Sequence, residues 1–343
     1  MEKTNIEIKY TQTLTGEIQK QWDFLIREHP LPHFFQSPAY FKIWVGESGS
    51  SPFLFYAIDD DKVVGILSGV FISSENNIKR EFTKRIIFTG GPLIHPNNDQ
   101  NNIGKKLIEA YIQKFPFKPI YSEFRMPEMT EIFEDISFNK DKWLNIFVDT
   151  QKDPDEIFKK ISESKRRQIK TSLKKGAEIV KATTEKDVKE YYNLLSSFYK
   201  YEVKKPLPSI KLFLKFLTST KEENFGEILL IKYEGKVVGG IVCPAINNGY
   251  VHEWYICGLD KEYKSKGIFP SVLATWAGIN YAIESGAKYF DFMGAGKSYE
   301  NYGVRDFKEK FGGETIITSR FIYIHKPILY KLGKLAIKLG LGG

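Results

Sequence analysis

The chain has 343 residues, enough for two ordinary domains, and its 42% hydrophobic and 27% charged residues are typical of a globular protein. No apolar run reaches the roughly 18 residues of a membrane-spanning helix, and the first residues lack the pattern of a signal peptide, so we expect a cytoplasmic protein. The formal net charge of +8 divides unevenly, with −3 over residues 1–150 and +11 over residues 151–343, which favours an anionic partner for the second half.

In the first half, a β-hairpin is predicted over 53–73, where β-branched strands flank an acidic turn. A strand over 85–88, a Gly-Gly-Pro turn, a helix over 103–115 and a strand over 119–124 follow. The helix is predicted because apolar residues recur on one of its faces: Ile103, Leu107, Ile108, Tyr111 and Ile112.

A long helix is predicted near the middle of the chain, over 154–175. Asp153 and Pro154 are typical of a helix start, and Gly176 is typical of a stop. Its expected buried residues are Ile157, Phe158, Ile161, Ile169 and Leu173. Basic residues at four-residue spacing form a stripe suited to phosphates, although a solvated face without a ligand has the same pattern: Arg166, Lys170 and Lys174.

The second half repeats the order of elements found in the first. A hairpin over 227–247 shares Lys-Val-Val-Gly with the earlier hairpin, and a strand over 250–257, a helix over 269–284 and a strand over 288–292 follow. Hairpin, strand, helix and strand therefore occur twice. This predicts an α/β (α+β) fold of two modules, each a mixed twisted sheet flanked by helices. Expected bounds are 1–150 and 151–326, with a tail over 327–343.

Cys243 and Cys257, the only cysteines, lie in apolar strand-like runs of this second module. We expect buried free thiols there. Two such residues provide neither a zinc-site spacing nor a disulfide framework, so no metal is expected.

Two glycine-containing turns of the second module are candidates for ligand binding. Lys264, Lys266 and Gly267 lie in a basic turn before a helix, where backbone N–H groups suit a pyrophosphate. An ordinary strand-to-helix turn is an equally good interpretation. The segment 291–298 ends in Ala-Gly-Lys-Ser, but a P-loop would need glycine at Asp291, so that motif is excluded.

The tail over 327–343 is predicted to form a short amphipathic helix with lysines along one side. Lys331, Lys334 and Lys338 give it the pattern of a helix that lies in a membrane interface, and packing onto the protein is the alternative.

The run 258–313 resembles the C-terminal half of the Fem family, the aminoacyltransferases that build peptidoglycan cross-bridges. The resemblance rests on Lys-Gly-Ile-Phe before a helix, Tyr-Phe-Asp-Phe-Met-Gly, and Phe-Lys-Glu-Lys-Phe-Gly-Gly. Ser-Lys-Arg-Arg-Gln-Ile from 164 and Phe-Gln-Ser-Pro from 35 resemble the wider Fem and GNAT-like group. The resemblance implies two tandem GNAT-like modules, with the acceptor at the first and the donor at the basic second.

The implied reaction is transfer of an aminoacyl group from aminoacyl-tRNA to an amine on a lipid-linked or nucleotide-linked peptidoglycan precursor, at the inner face of the membrane. No resident cofactor is implied. The chain departs from the family in having no room for a coiled-coil arm between 157 and 217. In addition, Phe269 stands where the acyl-CoA pyrophosphate loop of GNAT enzymes has its second small residue, which favours a tRNA-borne donor over acyl-CoA.

Amide formation needs a neutral amine, a positioned carbonyl and a proton acceptor, although positioning and electrostatics supply much of the rate. Candidate bases are Glu253, His252 and Asp291, since each lies on or at the end of a predicted core strand. Tyr255 and Tyr302 are candidate proton donors to the leaving hydroxyl. The alternative interpretations are surface strand positions for Glu253 and His252 and a core position for Tyr255.

Two other functions fit the same sequence. One is a GNAT-like N-acyltransferase that uses acyl-CoA or another thioester on a sugar amine or lipid. The other is a non-catalytic RNA- or membrane-binding protein that keeps the fold without the reaction.

Overall fold

The computed structural model describes residues 6–115, 119–125, 131–133, 136 and 138–338. In chain order, the strands are β1 (Glu7–Thr11), β2 (Ser50–Asp59), β3 (Lys62–Ile72), β4 (Arg85–Thr89), β5 (Leu93–Ile94), β6 (Tyr121–Arg125), β7 (Asn139–Asp149), β8 (Glu178–Lys181), β9 (Gly226–Tyr233), β10 (Lys236–Pro244), β11 (Tyr250–His252), β12 (Tyr255–Gly258), β13 (Tyr289–Asp291) and β14 (Glu314–Ile324). The helices are α1 (Gly16–Glu28), α2 (Pro38–Trp44), α3 (Asn77–Thr83), α4 (Gln100–Lys114), α5 (Pro154–Lys160), α6 (Glu163–Lys174), α7 (Glu185–Phe198), α8 (Ile210–Glu223), α9 (Asp260–Tyr263), α10 (Pro270–Glu284), α11 (Gly303–Glu309) and α12 (Pro327–Lys338).

The chain forms two compact units, residues 1–142 with 319–343 and residues 143–318. These bounds differ from the expected 1–150 and 151–326. The observed limits, at 142/143 and 318/319, fall within β7 and β14, so each of these strands contributes residues to both units. The last residues of β14 pair with β6, from Arg320 opposite Arg125, so they belong to the first unit. The last residues of β7 pair with β13, so they belong to the second.

The first unit contains the predicted hairpin, β2 and β3, whose turn residues Asp60 and Asp61 both have positive φ. The strands follow the order β1, β2, β3, β4, β6 and β14. Neighbours are antiparallel except β4 and β6, which are parallel. The predicted helix is confirmed as α4, whose apolar face packs in the core of this unit.

The second unit contains a four-stranded antiparallel sheet in the order β12, β10, β9 and β8. It also contains the parallel pair β11 and β13, with β7 antiparallel to β13. Helix α10 is buried along most of its length in the core of this unit. The two predicted free thiols, Cys243 and Cys257, are buried here, and burial raises the pKa of both.

The repeat predicted from the sequence extends to a detail that the sequence did not indicate. The single strand expected over 250–257 is two strands: β11 pairs with β13, and β12 pairs with β10. In the first unit, β4 pairs with β6, and β5 then pairs with β3. In both units, therefore, a strand with a parallel neighbour is followed by one that pairs with the hairpin, although in the first unit β4 itself also pairs with β3.

The helix expected over 154–175 is broken into α5 and α6 at Ile161 and Ser162. The Ser162 N–H donates to Lys310 O at 2.8 Å, so the break is fixed by the segment after α11. Gly312 packs there, since a Cβ on it would lie 2.7 Å from Lys160 O. The break rotates the faces of α6, and Leu173, expected to be buried, is 42% exposed.

The predicted tail helix is α12, which ends at Lys338, and residues 339–343 of the expected tail lie outside the described residues. Within the described part of the chain, every helix is too short or too polar to traverse a lipid bilayer.

Candidate active site

The candidate site lies where β11 and β13 separate. The two strands pair over three residues, ending with His252 opposite Asp291. The Glu253 N–H still donates to Asp291 O at 2.8 Å, whereas the Trp254 N–H donates to Val242 O on β10. Side chains just beyond this point therefore lie where the two strands are no longer hydrogen-bonded to each other.

Asp291 is held by three hydrogen bonds at the end of β13. Its Oδ1 accepts from Asn145 Nδ2 and from the Met293 N–H, both at 2.7 Å, and its Oδ2 accepts from His252 Nδ1 at 3.1 Å. His252 is completely buried and Asp291 is 1% exposed. The surface interpretation of His252 is thus wrong. The arrangement fits a role for Asp291 in orienting its neighbours, because both of its oxygens are already engaged.

Glu253 is buried at the separation point and forms an ion pair with Lys308. Glu253 Oε1 lies 2.9 Å from Lys308 Nζ, and their side chains are 3% and 11% exposed. Among the residues that the structure describes, none hydrogen-bonds the other oxygen, Oε2. Glu253 is therefore a fixed carboxylate with one oxygen still able to take a proton.

Burial raises the pKa of Glu253 above its ordinary value of 4.5, and the carboxylate of Asp291 acts in the same direction. The ammonium of Lys308 opposes this effect but does not cancel it. A carboxylate whose pKa is raised towards the working pH accepts a proton more readily than an exposed one.

The loop after β13 is fixed in an unusual conformation beside Glu253. Met293 has a φ of 57°, in the left-handed region that is costly for a side chain of this kind. Lys308 Nζ donates to Phe292 O at 2.6 Å and to Gly294 O at 3.0 Å, and Asn145 Oδ1 accepts from the Gly294 N–H at 2.6 Å. Lys308 thus links the loop to Glu253.

Tyrosine side chains lie near the same point of strand separation. Burial, followed by the nearby Cys257, Glu253 and Tyr302, raises the pKa of Tyr199 to about 12. Tyr255 is half-buried, with its ring centroid 5.8 Å from that of Tyr199. Tyr302 is 39% exposed. Glu253, Asp291, Tyr255 and Tyr302 are therefore grouped in one region of the second unit, and their catalytic roles stay predictions.

The basic stripe lies on α6, apart from this group in the sequence. Lys170 and Lys174 are exposed, and Lys170 Nζ lies 5.6 Å from the centre of the Phe158 ring. Arg166 is half-buried, and no described residue accepts a hydrogen bond from its Nε. The neighbouring Lys165 stacks on Phe307 of α11 at 4.2 Å.

The turn before α10 already uses its backbone donors within the protein. The N–H groups of Gly267 and Ile268 donate to Lys264 O and Tyr263 O. Those of Phe269 and Ser271 donate to side-chain oxygens, Ser172 Oγ at 3.0 Å and Asp260 Oδ1 at 3.3 Å. Pro270 has no N–H. A pyrophosphate would have to displace these acceptors to bind here.

The side chains of this turn are also engaged. Lys266 Nζ lies over the rings of Tyr233 and Tyr263 at 5.6 and 5.4 Å, while its carbonyl accepts from Lys175 Nζ at 2.7 Å. Lys264 is exposed. A phosphate contact for Lys264, Lys266 and Gly267 stays a prediction.

Sequence reasoning did not identify three residues of the site. Lys308 lies within Phe-Lys-Glu-Lys-Phe-Gly-Gly, and its position on the apolar side of α11, between Phe307 and Phe311, was the available signal. Asn145 had a signal too, as a polar residue at a core position of β7. Tyr199 lies in a single π-helical turn at the end of α7, a form of distortion that is frequent at functional sites.

The corresponding parallel strand pair of the first unit, β4 and β6, has different chemistry. Within β6, opposite Ile87 of β4, Glu123 accepts hydrogen bonds from Arg125 Nη2 at 3.0 Å and from Arg320 Nη1 at 2.8 Å. These two guanidinium groups hold the pKa of Glu123 below its ordinary value despite burial. In the first unit, the residue whose N–H makes the contact equivalent to that of Glu253 is Gly90, which donates to Arg125 O at 2.8 Å, so this unit has no carboxylate at that place.

The family comparison covers the unit that contains this group. Residues 163–308 match the model of the acetyltransferase (GNAT) domain. This stretch of the chain is similar to a GNAT acetyltransferase domain. The predicted enzyme class, an acyltransferase, is confirmed. A search of curated proteins finds no match to the chain.

Solved structures resemble the fold of this chain over nearly its whole length. FemX has a TM-score of 0.67 at 14% identity, covering 94% of this chain and 99% of that one. The C-terminal domain of a putative lysylphosphatidylglycerol synthetase from Agrobacterium fabrum has a TM-score of 0.57 at 11% identity, covering 92% of this chain and 95% of that one. A tandem GNAT protein from the clavulanic acid biosynthesis pathway has a TM-score of 0.55 at 12% identity, covering 94% of this chain and 99% of that one. The predicted fold of two tandem GNAT-like modules, similar to that of a Fem protein, is confirmed.

Proposed function

We propose that this acyltransferase forms an amide bond by moving an aminoacyl group from aminoacyl-tRNA to the amine of a peptidoglycan precursor or a similar cell-envelope molecule. The observation that carries the reaction type is Glu253, a buried carboxylate with a raised pKa and an oxygen that no described residue occupies, at the point where β11 and β13 separate. The fold comparisons support an aminoacyl donor, since FemX and a lysylphosphatidylglycerol synthetase domain share the fold.

In the proposed reaction, the acceptor nitrogen attacks the ester carbonyl of the donor and the carbon–oxygen bond to the ribose breaks. Glu253 Oε2 takes the proton that the nitrogen loses, and Lys308 keeps the carboxylate in place. The ribose oxygen leaves with a proton from Glu253, or from Tyr302 or Tyr255 beside it. One proton is taken and one returned, so no resident cofactor is needed.

The state of the turn before α10 supports tRNA over acyl-CoA as the donor. Its N–H groups from Gly267 to Ser271 already have protein acceptors. A coenzyme pyrophosphate gains its affinity from free donors at such a turn. The basic face of α6, with Lys170 and Lys174 exposed, offers a polyanion salt-dependent contacts instead.

A second candidate is transfer from acyl-CoA. The match of residues 163–308 to an acetyltransferase domain favours it, as does the fold shared with the tandem GNAT protein from the clavulanic acid biosynthesis pathway, which was solved without AcCoA. Both candidates use the same carboxylate, so the donor distinguishes them.

The test is mass spectrometry of the reaction of the full chain with pools of charged tRNA and with peptidoglycan precursors. The expected result is a precursor heavier by one aminoacyl residue, with uncharged tRNA released. The parallel reaction contains acetyl-CoA in place of charged tRNA. Product in the acetyl-CoA reaction alone would reject the tRNA donor, and product in neither would reject the proposed reaction.

A further inference from the structure

Helix α12 presents large apolar side chains to solvent. Ile328 is 75% exposed, and Leu332 and Leu335 are each 53% exposed. Their spacing of four and three residues places them in one stripe along the helix. Three neighbouring aliphatic side chains left this open on a twelve-residue helix indicate a surface that interacts with something apolar.

The same helix is strongly basic on the side next to this stripe. Lys331 and Lys334 are both exposed, and Lys334 Nζ lies 5.2 Å from the centre of the Tyr330 ring. In the sequence, no Asp or Glu occurs after Glu314, whereas five Lys or Arg do: Arg320, Lys326, Lys331, Lys334 and Lys338. The outward side of α12 is therefore partly aliphatic and partly cationic.

The opposite side of α12 is anchored on the first unit. The Tyr330 ring packs on Tyr121 with centroids 5.4 Å apart. At the start of the helix, the Lys326 N–H donates to Ile120 O at 3.0 Å. The helix is thus held with its aliphatic stripe facing outwards. Packing of the tail onto the protein, the alternative expectation, accounts for only one side of the helix.

The end of α3 adds to this surface. Phe82 is 62% exposed, and the Ile120 N–H donates to Lys84 O at 2.8 Å, so α3 ends beside the residue that anchors α12. The acidic group there, Glu81, forms an ion pair with Lys84, and that pair together with Lys326 lowers its pKa. The local charge therefore stays positive.

We infer that α12, together with Phe82, docks the protein on an anionic phospholipid surface. Aliphatic side chains next to lysines match the two layers of such a surface, acyl chains below and phosphate groups above. A polyanion such as RNA would use the lysines but leave the aliphatic stripe in water. The surface lies on the unit without the candidate active site, and the inference is independent of the donor proposed above.

The test is sedimentation of the full chain with vesicles in the absence of donor and acceptor, so that its outcome does not depend on the reaction. Vesicles of phosphatidylcholine with an equal part of phosphatidylglycerol are compared with vesicles of phosphatidylcholine alone. We expect binding to the first, weakened by salt, and little binding to the second. Each lysine near an anionic surface contributes about fivefold to affinity. The affinity of Lys331→Glu with Lys334→Glu for the anionic vesicles is therefore expected to fall about 25-fold or more.

Leu332→Ser with Leu335→Ser tests the aliphatic stripe and is expected to lose about tenfold or more, because both side chains would enter the interface. The matched charge control is Lys20→Glu with Lys62→Glu, two exposed lysines elsewhere in the first unit, with near wild-type binding expected. All substituted side chains are exposed, so thermal unfolding midpoints should change little. Equal binding to both vesicle types, no binding to either, or unaltered binding by the α12 variants would overturn the inference.

Discussion

Replacing Glu253 with glutamine isolates the proton acceptor that the proposed reaction requires. The substitution keeps the shape of the side chain, and the amide oxygen can still accept from Lys308, which also keeps its bonds to Phe292 O and Gly294 O. What disappears is the ionisable oxygen. Loss of a general base lowers rates by about 10²- to 10⁴-fold, so we expect that loss in kcat/KM for Glu253→Gln.

The expected effect on stability is small by comparison. Exchanging a charge-assisted hydrogen bond for a neutral one loses about 1–2 kcal/mol of unfolding free energy, and the variant no longer buries a carboxylate. Because folding raises the pKa of Glu253, the folded state binds the proton more tightly than the unfolded chain does. The wild type therefore loses stability as the pH rises from about 4.5 through the raised pKa, and Glu253→Gln should lack that loss.

The assay is steady-state transfer measured as a function of pH, with chemical denaturation at the same pH values. In the wild type, kcat/KM should rise with pH as Glu253 ionises, and this acidic limb should be absent from Glu253→Gln. Glu284→Gln, at an exposed position on α10, is the matched control and should behave as wild type. Wild-type kcat/KM and an unchanged acidic limb in Glu253→Gln would refute the assignment of the base.

Three further predictions concern the supports of the site and the donor. Lys308→Met should lower the free energy of unfolding, measured by urea titration, by about 3–5 kcal/mol, because Glu253 is left buried without its cation. Lys308→Arg should lower it less. Equal losses in the two variants would contradict the ion-pair explanation. Ser172→Ala should lower the free energy of unfolding by about 1–3 kcal/mol in the same titration, because the Phe269 N–H loses its acceptor. An unchanged midpoint would show that this contact is not stabilising. Arg166→Glu with Lys170→Glu should abolish binding of aminoacyl-tRNA in a filter assay without unfolding the protein, and unchanged binding would remove the stripe from the donor site.

The parts of the fold that local pattern determines could be predicted from the sequence. The two hairpins follow from β-branched strands around short turns, and α4 follows from Ile103, Leu107 and Tyr111 on one face. The break between α5 and α6 could not be predicted this way. It depends on the Ser162 N–H meeting Lys310 O, a partner that only the tertiary fold brings near.

The candidate site shows the same division. Glu253 and Asp291 could be identified because polar residues at the ends of apolar strands stand out against the pattern. The position of Lys308 on the apolar side of α11 was a signal, but its partners could not be predicted, because they include carbonyls of a loop whose shape depends on the positive φ of Met293. The sequence of 250–257 also does not indicate where β11 separates from β13. That point depends on which strand each part of the segment pairs with, β13 for β11 and β10 for β12.

The central claim is that acyl transfer takes place beside Glu253, where β11 and β13 separate. The most direct measurement is a crystal structure with a donor analogue whose aminoacyl group is joined by an amide to the 3′ end of a tRNA-like oligonucleotide. We expect the aminoacyl carbonyl next to Glu253, with Tyr255 and Tyr302 nearby. An aminoacyl group bound in the first unit, or at the turn before α10 with Glu253 remote from the carbonyl, would contradict it.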